Sequence, residues 1–386
     1  MSYLWARSLA KGLRLTRERR FGWAQVGDRL EERFTLYNDG WAPALWIEIL
    51  DHSTLPEYHV SRATGLGRGS QTHWITRGLC TQRGLFTLGP TTLRSGDPFA
   101  FYTVTLPCLA SDSLMVLPPI VPLPAIRVAP GGRSGEGRPR PYTLERTTTA
   151  STVRPYTPGD SPRWIHWPTT AHQGAPFVRL FDGAPTGDWW IVLDMDQTVQ
   201  VGAGQVSTEE HGIILAASLA ELGLRAGRSV GLVAQGETLL WLPPQAGATQ
   251  RFKILQALAL LRPGTCPLAE VLEGARAALG RQASLLLITA AAEGQWLATL
   301  LPLRQRGMVP TVLLLEPLSF GGTISPNVTL ARLGEQGISH HLIPRDLLDR
   351  PEARPGAQGH WAWRVLASGR VIATQRPDEA EWRELR

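Results

Sequence analysis

The sequence predicts an α+β chain in two parts, an N-terminal antiparallel β-sandwich followed by a doubly wound α/β domain. Three observations carry the prediction. Between about residues 26 and 118, short alternating strands follow one another with no helix between them, which leaves a sandwich or barrel. From Trp189 onward, apolar strands alternate with segments of helical period, the pattern of a sheet with helices on both faces. Between the two regions the chain is broken by proline and glycine: residues 118–124 hold four prolines, and residues 130–141 hold Gly-Gly, Gly-Glu-Gly and Pro-Arg-Pro. Such a stretch reads as a linker or mobile loop.

The elements follow in order. Glu32 to Tyr37 and Ala44 to Leu50 alternate apolar positions around the turn signal Asn38-Asp39-Gly40. Gln71–Arg77, Leu85–Leu88, Phe101–Leu106 and Leu114–Leu117 continue the pattern, and Gly65 to Gly69 falls between strands as a loop. In the second region the expected order is strand Trp189–Leu193, helix Thr208–Leu224, strands Ser229–Ala234 and Glu237–Leu242, and helices Gln250–Leu261 and Leu268–Leu279. Strand Ser284–Thr289, helix Gln295–Arg306 and strands Val309–Leu315 and His340–Ile343 complete it. Ser207 with Glu210 three residues on is a capping box for the first of these helices. The tail beyond Arg350 is polar, with Trp361, Trp363 and Trp382.

Composition narrows the function classes. The chain has 386 residues, 43% hydrophobic and 19% charged, which fits a globular chain and excludes disorder. Its formal charge is +6 from 39 basic residues, of which Lys11 and Lys253 are the only lysines. The first twenty residues hold six bases against Glu18, so most of the excess sits there. Leu4, Trp5, Leu9 and Leu13 recur in that run at roughly helical spacing, as in a helix lying on an anionic membrane surface; a solvated, frayed terminus is the alternative. The arginine-rich stretch from Arg127 to Arg154 offers neither a basic helix nor an aromatic platform, so nucleic-acid binding is not expected. Cys80, Cys108 and Cys266 are too widely spaced for a CxxC motif and fit a reducing compartment. The longest uncharged run, Pro317 to Ala331, contains two prolines and two glycines and is too short to span a bilayer, so a cytoplasmic or peripheral location is expected. The motifs of P-loop NTPases, zinc proteases and serine hydrolases are missing from the sequence.

The densest local signal is Val153 to Trp167, followed by Thr170 and Ala171. Thr157-Pro158-Gly159-Asp160 has the proline and glycine of a type II turn. Asp160 or Ser161 would then cap a short helix that Pro168 ends. Arg154, Asp160, Arg163 and His166 stand among Tyr156, Trp164, Ile165 and Trp167, and polar groups in such surroundings need partners. The segment is expected to be a polar network fixing the entry into the α/β domain, or else a binding site.

The string R-x-Y-x-x-G-D-x-x-R-x-I-H-W-x-x-T-A, with Phe177 to Phe181 after it, closely resembles the hallmark of a bacterial family known as domain-of-unknown-function family 58. The residues carrying it are Arg154, Tyr156, Gly159, Asp160, Arg163, His166 and Trp167. Arg83 to Pro90 and Asp97 to Phe101 resemble the family's sandwich region, whereas His172 stands where an arginine is usual. The family's pair of N-terminal membrane helices does not appear, and Arg7 to Arg20 resembles the basic segment that normally succeeds those helices. The resemblance implies a division into residues 1–25, a basic membrane-proximal leader; 26–125, the sandwich; 126–182, linker and hallmark; 183–350, a von Willebrand A-like domain; and 351–386, a C-terminal extension.

It also implies a partner and a site. Such proteins are usually encoded beside MoxR-type AAA+ ATPases and sometimes beside transglutaminase-like membrane proteins, which points to a non-enzymatic, protein-binding accessory role. Von Willebrand A domains carry a metal-ion-dependent adhesion site suited to Mg²⁺. Its counterparts here are Asp194, Asp196, Thr198 and Thr265, a degenerate set because Ala290 replaces the last aspartate. The alternative is a metal-free domain in which Asp194 and Asp196 cap loops. A strand ending in D-x-D-x-T also resembles the first motif of haloacid-dehalogenase-like phosphatases, with Asp194 as nucleophile and Asp196 as acid/base. No lysine follows the second motif, Leu287-Ile288-Thr289, to complete that chemistry.

Overall fold

The computed structural model describes residues 1–123, 126–129, 150–156, 165–181, 188–279, 283–348, 362–365, 371–375 and 383–384. The chain begins with α1 (Ser2–Gly12), then β1 (Leu13–Arg19), β2 (Trp23–Gln25), β3 (Arg29–Asn38) and β4 (Ala44–Asp51). β5 (Arg62–Leu66), β6 (Ser70–Leu79), β7 (Gly84–Leu88), β8 (Thr91–Gly96), β9 (Thr103–Cys108) and β10 (Asp112–Leu117) follow. The strands pair as β1-β3-β6, β2-β10-β7 and β5-β4-β8-β9, all antiparallel except β2 with β10. Period-2 alternation explains the layering: β3 buries every second residue, so that Leu30, Phe34 and Leu36 enter two adjoining cores. The first core joins β3 to β7 and β10 through Leu88, Leu114 and Val116. The second joins it to β4, β8 and α1 through Ile47, Ile49, Leu93 and Leu9.

A separate basic leader over residues 1–25 is therefore corrected. Residues 13–19 are a strand between β3 and a two-residue strand near the C-terminus, and Leu9 and Leu13 are buried in the second core. Two of the leader's arginines are buried as well: Arg17 pairs with Glu32 and Asp51, and Arg19 with Asp112. The proline-rich stretch is likewise not a free linker in its described part. Val121 is 4% exposed and donates its N–H to Ser218 Oγ, and Ala129 exchanges hydrogen bonds with Thr311 and Ser284. Its apolar residues, Ile120, Val121, Leu123, Ile126 and Val128, pack onto the α/β core.

β11 (Ala150–Pro155), α2 (Trp167–Gln173) and β12 (Phe177–Phe181) form a small unit in which β11 and β12 pair antiparallel. The α/β part then runs β13 (Trp189–Leu193), α3 (Thr208–Arg225), β14 (Val230–Gln235), β15 (Leu239–Gln245), α4 (Ala248–Leu260), α5 (Leu268–Ala275) and β16 (Ser284–Thr289). It closes with α6 (Leu297–Gln305), β17 (Val309–Leu315), α7 (Asn327–Glu335) and β18 (Ser339–Ile343). Its sheet order is β15-β14-β13-β16-β17-β18, parallel except for the edge strand β15. The doubly wound arrangement is visible in β13 itself. Trp189, Ile191 and Leu193 face α3 and α4, while Trp190 and Val192 face α5, α6 and α7. Helix α7 has no counterpart in the sequence prediction. β19 (Ala362–Val365) pairs with β20 (Val371–Gln375), and β21 (Arg383–Glu384) adds to the free edge of β1.

Helix α3 starts where Ser207 Oγ accepts the Glu210 N–H at 3.2 Å, as the capping box predicts. It seats close to the sheet because Gly223 has no side chain; a Cβ there would stand 2.7 Å from Trp189 and 2.8 Å from Val230. Gly223→Ala is expected to cost about 1–3 kcal/mol by overpacking. An unchanged thermal midpoint would contradict this close seating. The antiparallel sheets reach the same helix through Arg83, whose guanidinium binds Glu209 at 2.8 Å, Glu210 at 3.0 Å and the Leu261 carbonyl at 2.8 Å.

Candidate functional site

In an open α/β sheet, ligands bind beyond the carboxyl ends of the strands where the winding reverses. Here the chain builds β13, β14 and β15 outward to one side and β16, β17 and β18 to the other, so the reversal lies between β13 and β16. Leu193 pairs with Ile288 in that register, which sets Asp194 beside Thr289. A cavity of about 520 Å³ opens above these two ends. Asp194, Asp196 and Thr198 line one wall and Ala290, Ala291 and Trp296 another.

Both aspartates are engaged by their own chain. Asp194, 4% exposed, accepts the Asp196 N–H on Oδ1 at 3.1 Å and the Thr289 hydroxyl on Oδ2 at 2.6 Å. Burial pushes its carboxyl up to about 6, against the pull of those two hydrogen bonds, and the charge of Asp196 adds to the rise. Asp196 Oδ1 accepts both the N–H and the hydroxyl of Thr198 at 2.9 Å. The loop is braced further by Gln200, which donates to the Asp194 carbonyl, and by Gly264, bonded to Met195 and Gln197.

The sequence-derived set is thus only partly assembled. Asp194, Asp196 and Thr198 come together, but Thr265 is exposed on the neighbouring loop and does not line the cavity. Thr289, absent from the metal-ligand set though part of the phosphatase-like second motif, completes the site; its signal is a hydroxyl ending an apolar strand. Mg²⁺ takes about six oxygens in near-octahedral geometry, several of them usually from water. Three of the four oxygens of Asp194 and Asp196 already accept hydrogen bonds, and the segment after β16 lines the cavity with Ala290, Ala291, Ala292 and Glu293. Among the described residues, no three of histidine, cysteine, aspartate and glutamate are placed to hold a metal. In this arrangement both aspartates accept hydrogen bonds within the loop that carries them.

The hallmark segment shows a structural arrangement where it is described. Tyr156 donates its N–H to Pro176 and His166 its N–H to Phe177, closing the unit of β11 and β12. His166 Nδ1 accepts the Thr169 N–H and faces the Thr169 hydroxyl at 2.7 Å, so the histidine caps α2. Pro168 therefore stands in the first turn of that helix rather than ending one, where its missing N–H costs nothing. Trp167 is 68% exposed. Arg154 lies in β11, and nothing further is described of its side chain; Gly159, Asp160 and Arg163 lie outside the described residues. His340 bonds the Ile338 carbonyl and His341 that of Arg127, so the pair does not converge. Among the described residues, no helix is long and apolar enough to cross a membrane.

Comparison with known proteins agrees with the hallmark. Residues 152–320 match the family model described as "Protein of unknown function DUF58", a span that includes the hallmark and both aspartates. The uncharacterized protein Rv1480 of Mycobacterium tuberculosis (strain ATCC 25618 / H37Rv) is 27% identical over 109 residues, 28% of this chain and 34% of that protein. The uncharacterized protein Mb1516 of Mycobacterium bovis matches to the same extent; the match thus spans about a third of these curated relatives. Among solved structures, the SpRpn10 VWA domain aligns with a TM-score of 0.30 at 9% identity, covering 44% of this chain and 90% of that one. The CARDB domain of the PF1109 protein from Pyrococcus furiosus aligns with a TM-score of 0.22 at 14% identity, covering 28% and 90%.

Proposed function

We propose that the chain is a non-enzymatic binding protein, a β-sandwich joined to a von Willebrand A-like domain, that acts with a MoxR-type AAA+ ATPase in assembling or maturing a protein complex. The observation that carries the binding role is the cavity at the winding reversal. It is large enough for a few side chains of a partner, walled by alanines and Trp296, and rimmed by Ile324, which is 48% exposed. Such concave, mainly apolar sites with a few fixed polar groups are what recognition uses. The same lining supports binding over phosphoryl transfer. It contains no lysine or arginine to neutralise a phosphoryl group, and Lys253 lies exposed on α4.

The ATPase partnership rests on the resemblance, and the cavity is where it is tested. Ile324→Glu places a charge on the exposed rim without touching either core. Purified MoxR-type ATPase from the same cell is expected to be retained by the wild type and released at least about tenfold more readily by the variant, as for loss of one buried apolar contact. Equal retention would remove the cavity from the reading, and no retention by the wild type would remove the ATPase. Turnover of a phosphate ester abolished by Asp194→Asn would replace the reading with the phosphatase one.

A further inference from the structure

Helix α1 lies across one end of the antiparallel sheets and is pinned at both of its ends. At its start, the Ser2 side chain bonds Asp97, whose carboxylate also accepts the N–H groups of Phe99 at 3.2 Å and Tyr102 at 2.7 Å. Tyr3 meets Tyr102 edge to face at 5.9 Å. Further along, Ser8 Oγ accepts the Ala42 N–H, and Trp5 donates to the Pro43 carbonyl while standing 6.0 Å from Trp41. Ala6, Ser8 and Leu9 are turned inward. Tyr3, Leu4, Arg7 and Lys11 are exposed, and that spacing puts them on one helix face.

The loop from β8 to β9 enlarges the face. Phe99 and Phe101 are 74% and 76% exposed and 6.0 Å apart, held out by a loop that Asp97 clamps from inside. The pairing of Ile47 with Ser95 brings Leu45, 59% exposed, to the start of the same loop. Arg68, at the turn between β5 and β6, is exposed beyond Gly67, whose carbonyl is bonded to Asn38. The acid at the loop, Asp97, is spent on its N–H groups, and Glu48 pairs with Arg94 at 3.1 Å; Asp39, on the turn after β3, is exposed.

A folded chain rarely exposes so many large apolar side chains together without a use for them. The chemistry selects the occupant. Tyrosine, phenylalanine and leucine interleaved with arginine and lysine suit the layer where acyl chains meet anionic headgroups. Phe99 and Phe101 protrude from a short loop, so whatever covers them must close around the tip, which a fluid interface does without a preformed pocket. We propose that this end of the sheets docks on an anionic bilayer surface. Tyr3, Leu4, Phe99 and Phe101 enter the headgroup layer, and Arg7, Lys11 and Arg68 face lipid phosphates. The docking face differs from the one the helical spacing of Leu4, Trp5, Leu9 and Leu13 suggested, because Leu9 and Leu13 are core residues. It is also independent of the cavity on the α/β part.

The test is flotation of the full chain with phosphatidylglycerol vesicles and with phosphatidylcholine vesicles at low and high salt. The wild type is expected to float with the former, and less at high salt as screening weakens the basic contacts. Phe99→Ser combined with Phe101→Ser is expected to lower the bound fraction at least about tenfold. Its thermal midpoint should be unchanged, since both side chains are exposed. Arg7→Glu with Lys11→Glu should abolish the preference for phosphatidylglycerol. A wild type that fails to float, or a phenylalanine double variant that floats equally, overturns the proposal. So does a concentration-dependent dimer lost in that variant with no vesicle binding, which would make the face a contact between copies.

Discussion

Arg17→Ala is expected to destabilise the antiparallel sheets by about 3–5 kcal/mol, the loss seen when one partner of a buried ion pair is removed. Arg17 and Glu32 are 4% and 0% exposed. The guanidinium binds Glu32 through two parallel bonds of 2.9 and 2.6 Å, Asp51 at 2.7 Å and Ser53 at 2.9 Å, and its Cζ stands 5.0 Å from the Phe34 ring centroid. Truncation leaves two carboxylates buried without a cation, beside a Tyr58 hydroxyl that donates to Glu32. Burial, and then the Glu32 charge, raise the Tyr58 pKa, so the tyrosine stays a donor and does not add a third negative charge. Arg17→Met combined with Glu32→Gln takes away one of the two unpaired carboxylates, leaving Asp51, and should recover part of the loss, a non-additivity that marks a shared network. Urea unfolding followed by tryptophan fluorescence reads both, because Trp74 stacks on Phe34 at 5.4 Å. A change under about 0.5 kcal/mol in Arg17→Ala, the range of an ordinary surface substitution, would mean that residues 13–19 behave as a leader after all.

The same pair shows why β1 was hard to read in the sequence. Leu13-Arg14-Leu15-Thr16-Arg17-Glu18-Arg19 has the period of a strand, but half of its inward side is arginine. What makes those arginines tolerable is Glu32, Asp51 and Asp112, up to 93 residues away, and no local pattern reveals such partners. β8 hid for a related reason: its buried positions are Thr91, Leu93, Ser95 and Gly96, with leucine the one large apolar residue among them. The α/β part was legible because its strands are continuous apolar runs, buried on both faces, and because Ser207 marks the start of α3. The exception is α7, which comes after Pro326 and carries two buried residues, Thr329 and Leu333. At the site, the position of Asp194 and Asp196 after β13 was readable from strand order. Which oxygens remain free was not, since that depends on Thr289, a residue from another strand 95 positions on.

Asp194→Asn is expected to stabilise the α/β part at neutral pH by about 2 to 3 kcal/mol and to change little below pH 4. The carboxyl titrates at about 6 in the folded chain against an ordinary 3.8, so the folded state holds its proton more tightly than the unfolded one. Stability from that proton is complete below about 3.8 and is lost as the pH rises through about 6. About two pH units at 1.36 kcal/mol each give the stated size. The amide keeps the geometry. Its oxygen can accept the Asp196 N–H, and its NH₂ can donate to Thr289 Oγ1, whose hydroxyl hydrogen is then free to turn away. Asp28, also pushed up to about 6 by burial, contributes a similar slope to both proteins and cancels in the difference. Unfolding free energies of wild type and variant at several pH values between 4 and 8 give the profile, with and without Mg²⁺. A resident cation would reverse the sign, because it would favour the ionised carboxylate and make the amide the less stable form at neutral pH with Mg²⁺ present. An unchanged profile with added Mg²⁺ and a more stable amide above pH 6 would identify Asp194 as a buried loop cap that the fold retains at a cost in stability.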